Sequence, residues 1–297
     1  MSVPIFRRLL YFLNDRVLPL RLWWEVRGKS PDEVAKYYCN ICSTDNLILR
    51  SRMLSRESLS CRKCRSSLRR RSVVNAISLC LFGEPLKVKD FPNDSRKGVG
   101  LSDDDGVSKR LGVPLNYHNT FYHKEPFLDI QNIEINQEGT IDYIVCSEVL
   151  EHVIPPIENA LMGIYKLLKK DGFVIITVPY NSGGSQDGPV IEHFPDLNEF
   201  ELIRKGDYKQ GGIQHSQVLV NITKEGARQE FTDLSFHGGP GLNLEMRQFT
   251  KKSLIDLLIS TGFSRVETID SDFSEFGIEF VGEYRGLVDK EPVVAWK

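Results

Sequence analysis

The most specific chemistry in the chain belongs to four cysteines, Cys39-x2-Cys42 and, eighteen residues on, Cys61-x2-Cys64. Paired knuckles at this spacing bring four thiolates to a tetrahedral Zn²⁺, and the intervening segment is long enough for a hairpin. Four unrelated buried cysteines would not produce two such pairs, and a chain without a secretion signal keeps its thiols reduced. Cys80 and Cys146 lie in apolar runs and read as core residues. Around the second knuckle runs RKCRSSLRRR, with Arg50, Arg52 and Arg56 before it. This basic surface could grip phosphate, in nucleic acid or in a nucleotide-linked or lipid-linked substrate, or it could rest against an acidic face of the same protein. No base-reading or stacking motif accompanies it, which makes nucleic acid the less favoured partner.

The elements able to position a site centre on residues 141–179. Ile141-Asp142-Tyr143-Ile144-Val145-Cys146 is short, β-branched and apolar on both faces, as a strand inside a parallel sheet must be. After Pro155-Pro156, apolar residues recur at Ile157, Ala160, Leu161, Ile164, Tyr165 and Leu168, one face of a helix. Lys169-Lys170-Asp171 lead into Gly172, expected to close that helix in the left-handed conformation, and Phe173–Val178 is a second buried strand. Strand, helix and strand make a right-handed parallel crossover, and ligands of open α/β sheets bind beyond the carboxyl ends of the strands, here Ser147-Glu148 and Pro179-Tyr180.

The stretch SEVLEHV, a helix, KLLKKDG and a strand ending in VP resembles the fourth and fifth strands of class I S-adenosylmethionine-dependent methyltransferases. The resemblance runs over roughly residues 97–282. It implies a doubly wound α/β sheet with S-adenosylmethionine as cofactor, Asp129 on the adenine amino group, Ile130 on the ring, and Ser147 and Glu148 at the methionine end. Where the family carries a glycine-rich loop, this chain has Lys97-Gly98-Val99-Gly100-Leu101-Ser102-Asp103. That segment aligns either with the family's first strand and turn, making Gly98, Gly100 and Asp103 cofactor-binding, or with its second strand, placing Gly100 where an acidic ribose ligand is expected. Glu125–Ile130 stands at the position of the third strand.

Three parts of the chain are expected: an amphipathic helical segment over 1–34, a zinc ribbon over 35–72, and the methyltransferase-like domain over 73–297 with an inserted hairpin near 190–235. Residues 4–24 carry Phe6, Leu9, Leu10 and Leu13 on one side, followed by Trp23-Trp24; docking on the protein itself is favoured, and peripheral contact with an anionic membrane stays open. Residues 73–83 form an apolar helix ending at Gly83. Gln217–Ile222 alternates as a hairpin strand, and insertions after the fifth strand commonly cover the substrate. Thr250 caps a helix that Gly262 closes, followed by strands at Arg265–Ile269 and about Phe276–Val281.

His193, His215 and His237 fall in or beside this lid, and histidine is the commonest general base near neutral pH. With the resemblance, they imply O-methylation of a hydroxyl on a small molecule or glycan such as a sugar, with His237, flanked by glycines, as first candidate base. Two other classes stay open: a methyltransferase-like fold that binds without catalysing, and a nucleic-acid-binding protein led by the ribbon. Composition is that of an ordinary soluble chain, 41% hydrophobic and 26% charged. The net charge of −2 hides a basic head of about +10 over 1–72 and an acidic remainder of about −12. No apolar run reaches the roughly 20 residues of a membrane span, and arginines interrupt the N-terminal stretch too often for a signal peptide, so the expected location is the cytoplasm.

Overall fold

A computed structural model describes residues 26–53, 56–58, 60–180, 187–209, 212–237, 243–269, 273–278 and 291–297. The helix expected over 4–24 lies outside them.

The head opens on an antiparallel pair, β1 (Val34–Tyr38) and β2 (Asp45–Leu49). Both cysteine pairs close the same kind of turn. The Ser43 N–H donates to the Cys39 carbonyl and the Arg65 N–H to the Cys61 carbonyl, and Ser43 and Arg65 each take a positive φ. Helix α1 (Leu68–Phe82) follows, capped by the Ser67 hydroxyl and ended by Gly83 in the left-handed conformation, as expected. It runs across position 72/73, and even its polar residues Arg71, Ser72, Asn75 and Ser78 are buried, because the head covers one flank and the sheet the other. Cys39, Ile41 and Cys61 share a single apolar cluster with Val73 and Ile77 of α1 and with Tyr143, Val145 and Ile175.

The sheet contains β3 (Asp94–Leu101), β4 (Leu115–Thr120), β5 (Ile141–Ser147), β6 (Leu168–Thr177), β14 (Arg265–Thr268) and β15 (Val293–Trp296), in the order β14-β15-β6-β5-β3-β4. The contacts β4/β3, β3/β5 and β5/β6 are parallel; β15 is antiparallel to both neighbours. With β3 between β5 and β4, and β4 the edge strand that follows it in the chain, Lys97–Asp103 takes the place of a first strand and turn. Helix α2 (Asp105–Leu111) links β3 to β4, and α3 (Ile157–Leu167) and α4 (Lys251–Thr261) bury Leu161, Ile164, Leu254 and Leu258 against the opposite face from α1. Thr250 and Gly262 cap α4 as expected.

One rung of the sheet shows how residue type sets the packing. Tyr117, Gly98, Tyr143, Phe173 and Trp296 lie side by side on successive strands. A Cβ on Gly98 would stand 2.2 Å from the Tyr143 ring, so only glycine lets that ring lie across β3. The rings of Tyr117 and Tyr143 stack at 6.1 Å and those of Tyr143 and Phe173 at 5.5 Å.

Several expectations are corrected. Helix α3 ends at Leu167; Asp171, not Gly172, takes the positive φ, and Gly172 is needed for space, since its Cβ would lie 2.8 Å from the Asp142 carbonyl. The third strand shrinks to one bridge, Phe121 to Phe127, because Pro126 has no N–H to give and the Glu125 carboxylate accepts the Phe127 N–H. The strand partnering β14 is Val293–Trp296, while Phe276 lies in a short 3₁₀ turn. The hairpin is a three-stranded meander of β8 (Glu199–Lys209), β9 (Gly212–Ile222) and β10 (Arg228–Phe231).

Gly163 of α3 faces the Ile130 carbonyl so closely that an added Cβ would stand 1.7 Å from its oxygen. Backbone cannot yield as a side chain tip can. Gly163→Ala is therefore expected to destabilise the protein by about 1–3 kcal/mol despite alanine's better helix propensity, read as a lower denaturation midpoint at unchanged m. An unchanged midpoint would mean that α3 and the 130 turn do not meet this closely.

Candidate active site

The carboxyl ends of β3 and β5 open into a cavity of about 260 Å³ between α1 and α2. Val73, Ile77 and Val145 line it with apolar surface, and Arg69, Arg70, Ser102, Asp103, Ser147 and Glu148 supply the polar groups. Asp103 sits just past β3, clamped by Asn119: the Asp103 N–H donates to Asn119 Oδ1 at 2.9 Å and Asn119 Nδ2 donates to the Asp103 carbonyl at 2.8 Å. The Tyr117 hydroxyl donates to its carboxylate. Burial pushes the Asp103 carboxyl up to about 6 even though the Tyr117 hydrogen bond pulls the other way.

At the end of β5 a relay of hydroxyls and charges fixes the turn. Arg69 donates to the Ser147 hydroxyl at 2.5 Å, Ser147 pairs with Thr177 at 2.8 Å, and Thr177 donates to Glu148 at 3.1 Å. Arg56 holds the other Glu148 oxygen at 2.5 Å and donates to the Val178 carbonyl at 3.0 Å. Glu148 takes a positive φ, unusual for a residue with a side chain, and this relay is what holds it there. Arg69 also pairs with Glu57. Arg71, 0% exposed, donates to Ser60, the Ser66 carbonyl and the Gly277 carbonyl. Three arginines of the basic head thus turn inward, toward the acidic body.

Beyond Glu148, a 3₁₀ turn over Leu150–His152 meets two short strands, β7 (Ile191–Glu192) and β13 (Arg247–Gln248). The buried Arg247 donates to the carbonyls of Leu150 at 2.7 Å and Val153 at 2.6 Å and to Glu192 at 2.7 Å, which locks the turn in place. Glu245 gathers three donors: His193 at 2.9 Å, His237 at 2.7 Å and Gln248 at 3.1 Å. Burial alone would raise its pKa, but the hydrogen bonds from His193 and Gln248 and the charge of His237 hold it down to about 2. Burial, reinforced by the charge of Glu148, moves the Glu151 carboxyl well above its usual range, and burial lowers His152.

The expected site residues therefore divide. Asp103, Ser147 and Glu148 meet at the cavity, and His193 and His237 meet through Glu245. His215 stands on β9 opposite Gly206. Gly98 and Gly100 face the protein's own side chains: a Cβ on Gly100 would lie 2.4 Å from both Asp103 Oδ2 and the Tyr117 hydroxyl. Asp129 holds its own turn, accepting from the Gln131 N–H at 2.9 Å and from Asn132 at 2.8 Å, and Ile130 is buried. Sequence reasoning missed Arg56, Arg69, Glu245 and Arg247. Arg56 and Arg69 were visible only as part of a charge run, and Glu245 and Arg247 stand just before the Thr250 cap with no spacing signal of their own.

In the cysteine head, the Sγ atoms of Cys39 and Cys64 lie 3.6 Å apart, as do those of Cys42 and Cys61, and all four fall within 4.8 Å of one another. Four sulfurs about 2.3 Å from a central ion at tetrahedral angles are separated by about 3.8 Å, a spacing close to the two 3.6 Å pairs.

A methyltransferase-domain family profile matches residues 103–263, more than half of the chain. The chain belongs to this family. It is an S-adenosylmethionine-dependent methyltransferase. Solved structures similar to this methyltransferase include an S-adenosylmethionine-dependent methyltransferase from Clostridium acetobutylicum, at 13% identity over 78% of this chain and 91% of that one, with a TM-score of 0.41. The sugar N-methyltransferase KedS8 from Streptoalloteichus is 11% identical over 94% and 92%, with a TM-score of 0.40. The amino pentose methyltransferase CalS10 from Micromonospora echinaspora is 12% identical over 78% and 92%, with a TM-score of 0.38. No curated protein matches the sequence.

The position of Asp103 yields a test. Its folded pKa near 6 stands above the ordinary value of about 3.9, so its contribution to stability is complete below pH 4 and lost as pH rises through 6. Between pH 4 and pH 7 the methyltransferase should lose about 2–3 kcal/mol relative to Asp103→Asn, measured as the widening gap between their denaturation curves. Parallel pH profiles would show that Asp103 is solvated.

Proposed function

We propose that this methyltransferase transfers a methyl group to a hydroxyl of a small-molecule or glycan acceptor such as a sugar. The observation that carries the reading is the cluster of Glu151, His152, His237 and Glu245, three residues along the chain from Glu148 at the cavity wall. Bound S-adenosylmethionine supplies an electrophilic methyl already activated by its sulfonium. The cavity's donor set fits the methionine half of that molecule: Asp103 and Glu148 suit its cationic groups, and the guanidiniums of Arg69 and Arg70 suit its carboxylate. Asp129 and Ile130 remain the adenine contacts of this reading.

What the chain itself contributes is alignment and proton handling. The Arg56 and Arg69 relay holds Ser147 and Glu148 at the edge of the cavity, and Arg247 holds the turn bearing Glu151 and His152 that follows them in the chain. The acceptor's proton is lost at the histidine cluster, where His237 is the member open to the acceptor and Glu245 orients its ring. A cluster this rich in carboxylates and imidazoles favours a neutral polyhydroxylated acceptor over an anionic one. The inward turn of Arg56, Arg69 and Arg71 speaks against the ribbon as the main nucleic-acid grip.

Calorimetric titration of the full chain with S-adenosylhomocysteine tests the donor site. Arg69→Met and Asp129→Ala should each weaken binding by about 1–3 kcal/mol, the usual effect of losing one charged hydrogen-bond partner. Unchanged affinity in both variants would move the cofactor away from these residues.

We also propose that Cys39, Cys42, Cys61 and Cys64 hold one structural Zn²⁺. Elemental analysis after purification without chelator should show it, and stripping it should unfold β1, β2 and the knuckles, which have little other core of their own. A metal-free chain with an intact head would refute the assignment.

A further inference from the structure

Glu151 is fully buried, and neither of its carboxylate oxygens has a hydrogen-bond donor among the described residues. Two imidazoles face it: His152 Nε2 lies 3.6 Å and His237 Nδ1 3.7 Å from the same oxygen, Glu151 Oε1. These distances are too long for hydrogen bonds, and the far side of each ring explains why. His152 Nδ1 is 2.8 Å from the Leu244 carbonyl, which can only accept, so Nδ1 carries the hydrogen and Nε2 is bare. His237 Nε2 is 2.7 Å from the Glu245 carboxylate, another acceptor, which leaves Nδ1 bare in the neutral ring. Once Glu151 is ionised, three lone pairs point at one another across this space, a repulsive arrangement that a positive charge between them relieves.

We propose that Glu151, His152 and His237 form a site for a divalent first-row metal ion, separate from the four cysteines. The donor set is one carboxylate and two imidazoles, with the remaining positions open. Their ligand atoms all lie within 4.8 Å of one another. For an ion about 2.0–2.2 Å from each atom at tetrahedral angles, neighbours stand about 3.3–3.6 Å apart; the two nitrogen–oxygen distances of 3.6 and 3.7 Å already match, and the two nitrogens, within 4.8 Å of each other, close on the ion by turning the rings. The outer partners are those that metal-bound histidines require: a backbone carbonyl on one ring and a carboxylate on the other, each fixing the tautomer. Arg247 fixes the turn that presents two of the three ligands, through the carbonyls of Leu150 and Val153.

The inference rests on hydroxyl methylation as the function and gives it a means of deprotonation. An ion held by Glu151, His152 and His237 would offer an open position to the acceptor's oxygen and would lower the pKa of its hydroxyl, so that its proton could pass to solvent as the methyl is transferred. His237 then promotes loss of the acceptor's proton through the ion that holds its nitrogen lone pair, in place of taking the proton itself.

The test is titration of the full chain with Mn²⁺, followed by electron paramagnetic resonance, after exchangeable metal has been removed under conditions that leave the cysteine-bound ion in place. One Mn²⁺ per chain should bind and should be displaced by added Zn²⁺. Glu151→Gln and His237→Gln should each weaken binding at least tenfold, while Asp129→Ala should leave it unchanged. His237 is partly exposed, so its variant keeps the test valid should the buried Glu151→Gln fail to fold. Absence of Mn²⁺ binding, or binding indifferent to His237→Gln, would overturn the site and leave a shared proton as the positive charge. Binding needs neither methyl donor nor acceptor, so a chain that binds Mn²⁺ but methylates no hydroxyl would refute the proposed function and leave the site standing.

Discussion

Carboxylates crowd the carboxyl edge of this sheet, and a buried negative charge must be met by a positive one. Asp103, Glu148, Glu151, Glu192 and Glu245 stand within a few residues of the ends of β3, β5 and the lid strands. Among them, Glu148 is met by Arg56 and Arg69 and Glu192 by Arg247. Much of the architecture follows from that requirement. The head lies against the sheet partly because its arginines reach Ser147, Glu148 and Val178, and the Arg247 guanidinium helps to tie the lid strands to the 3₁₀ turn. The charge asymmetry between the first 72 residues and the remainder is, in space, a set of short contacts across one boundary.

The sheet was legible because burial on both faces leaves little freedom in composition. Ile141–Cys146 and Phe173–Val178 could only be interior strands, and Thr250 and Gly262 mark helix ends by chemistry that acts locally. The cysteine pairs were equally legible, since each knuckle is a turn of five residues that closes on itself. Ser147 and Glu148 followed from the rule that places ligands beyond strand ends.

What escaped prediction depended on partners far away in sequence. Gly98 and Gly100 looked like bare backbone for a cofactor, yet the rings and carboxylate that occupy their space come from positions 143, 117 and 103. Gly172 looked like a helix stop, but a carbonyl at 142 dictates it. The pairing of His193 with His237 runs through Glu245, and the role of Arg247 exists only because the turn at Leu150–Val153 offers it two free carbonyls. No spacing rule links residues 94 or 97 positions apart.

The core shared by the knuckle cysteines and the sheet has a thermodynamic consequence. Cys39, Ile41 and Cys61 pack into the same apolar cluster as Tyr143, Ile175 and Val294, with α1 threaded between them. No plane of solvent separates the two layers, so melting of the head uncovers the face of the sheet, and loosening of the sheet withdraws the floor beneath the knuckles. The knuckles and the sheet face beneath them therefore share one fate, while β1 and β2 keep a small cluster of their own, Ala35, Tyr37, Ile48 and Met53. A fragment cut at the start of α1 would present an apolar sheet face to water and aggregate.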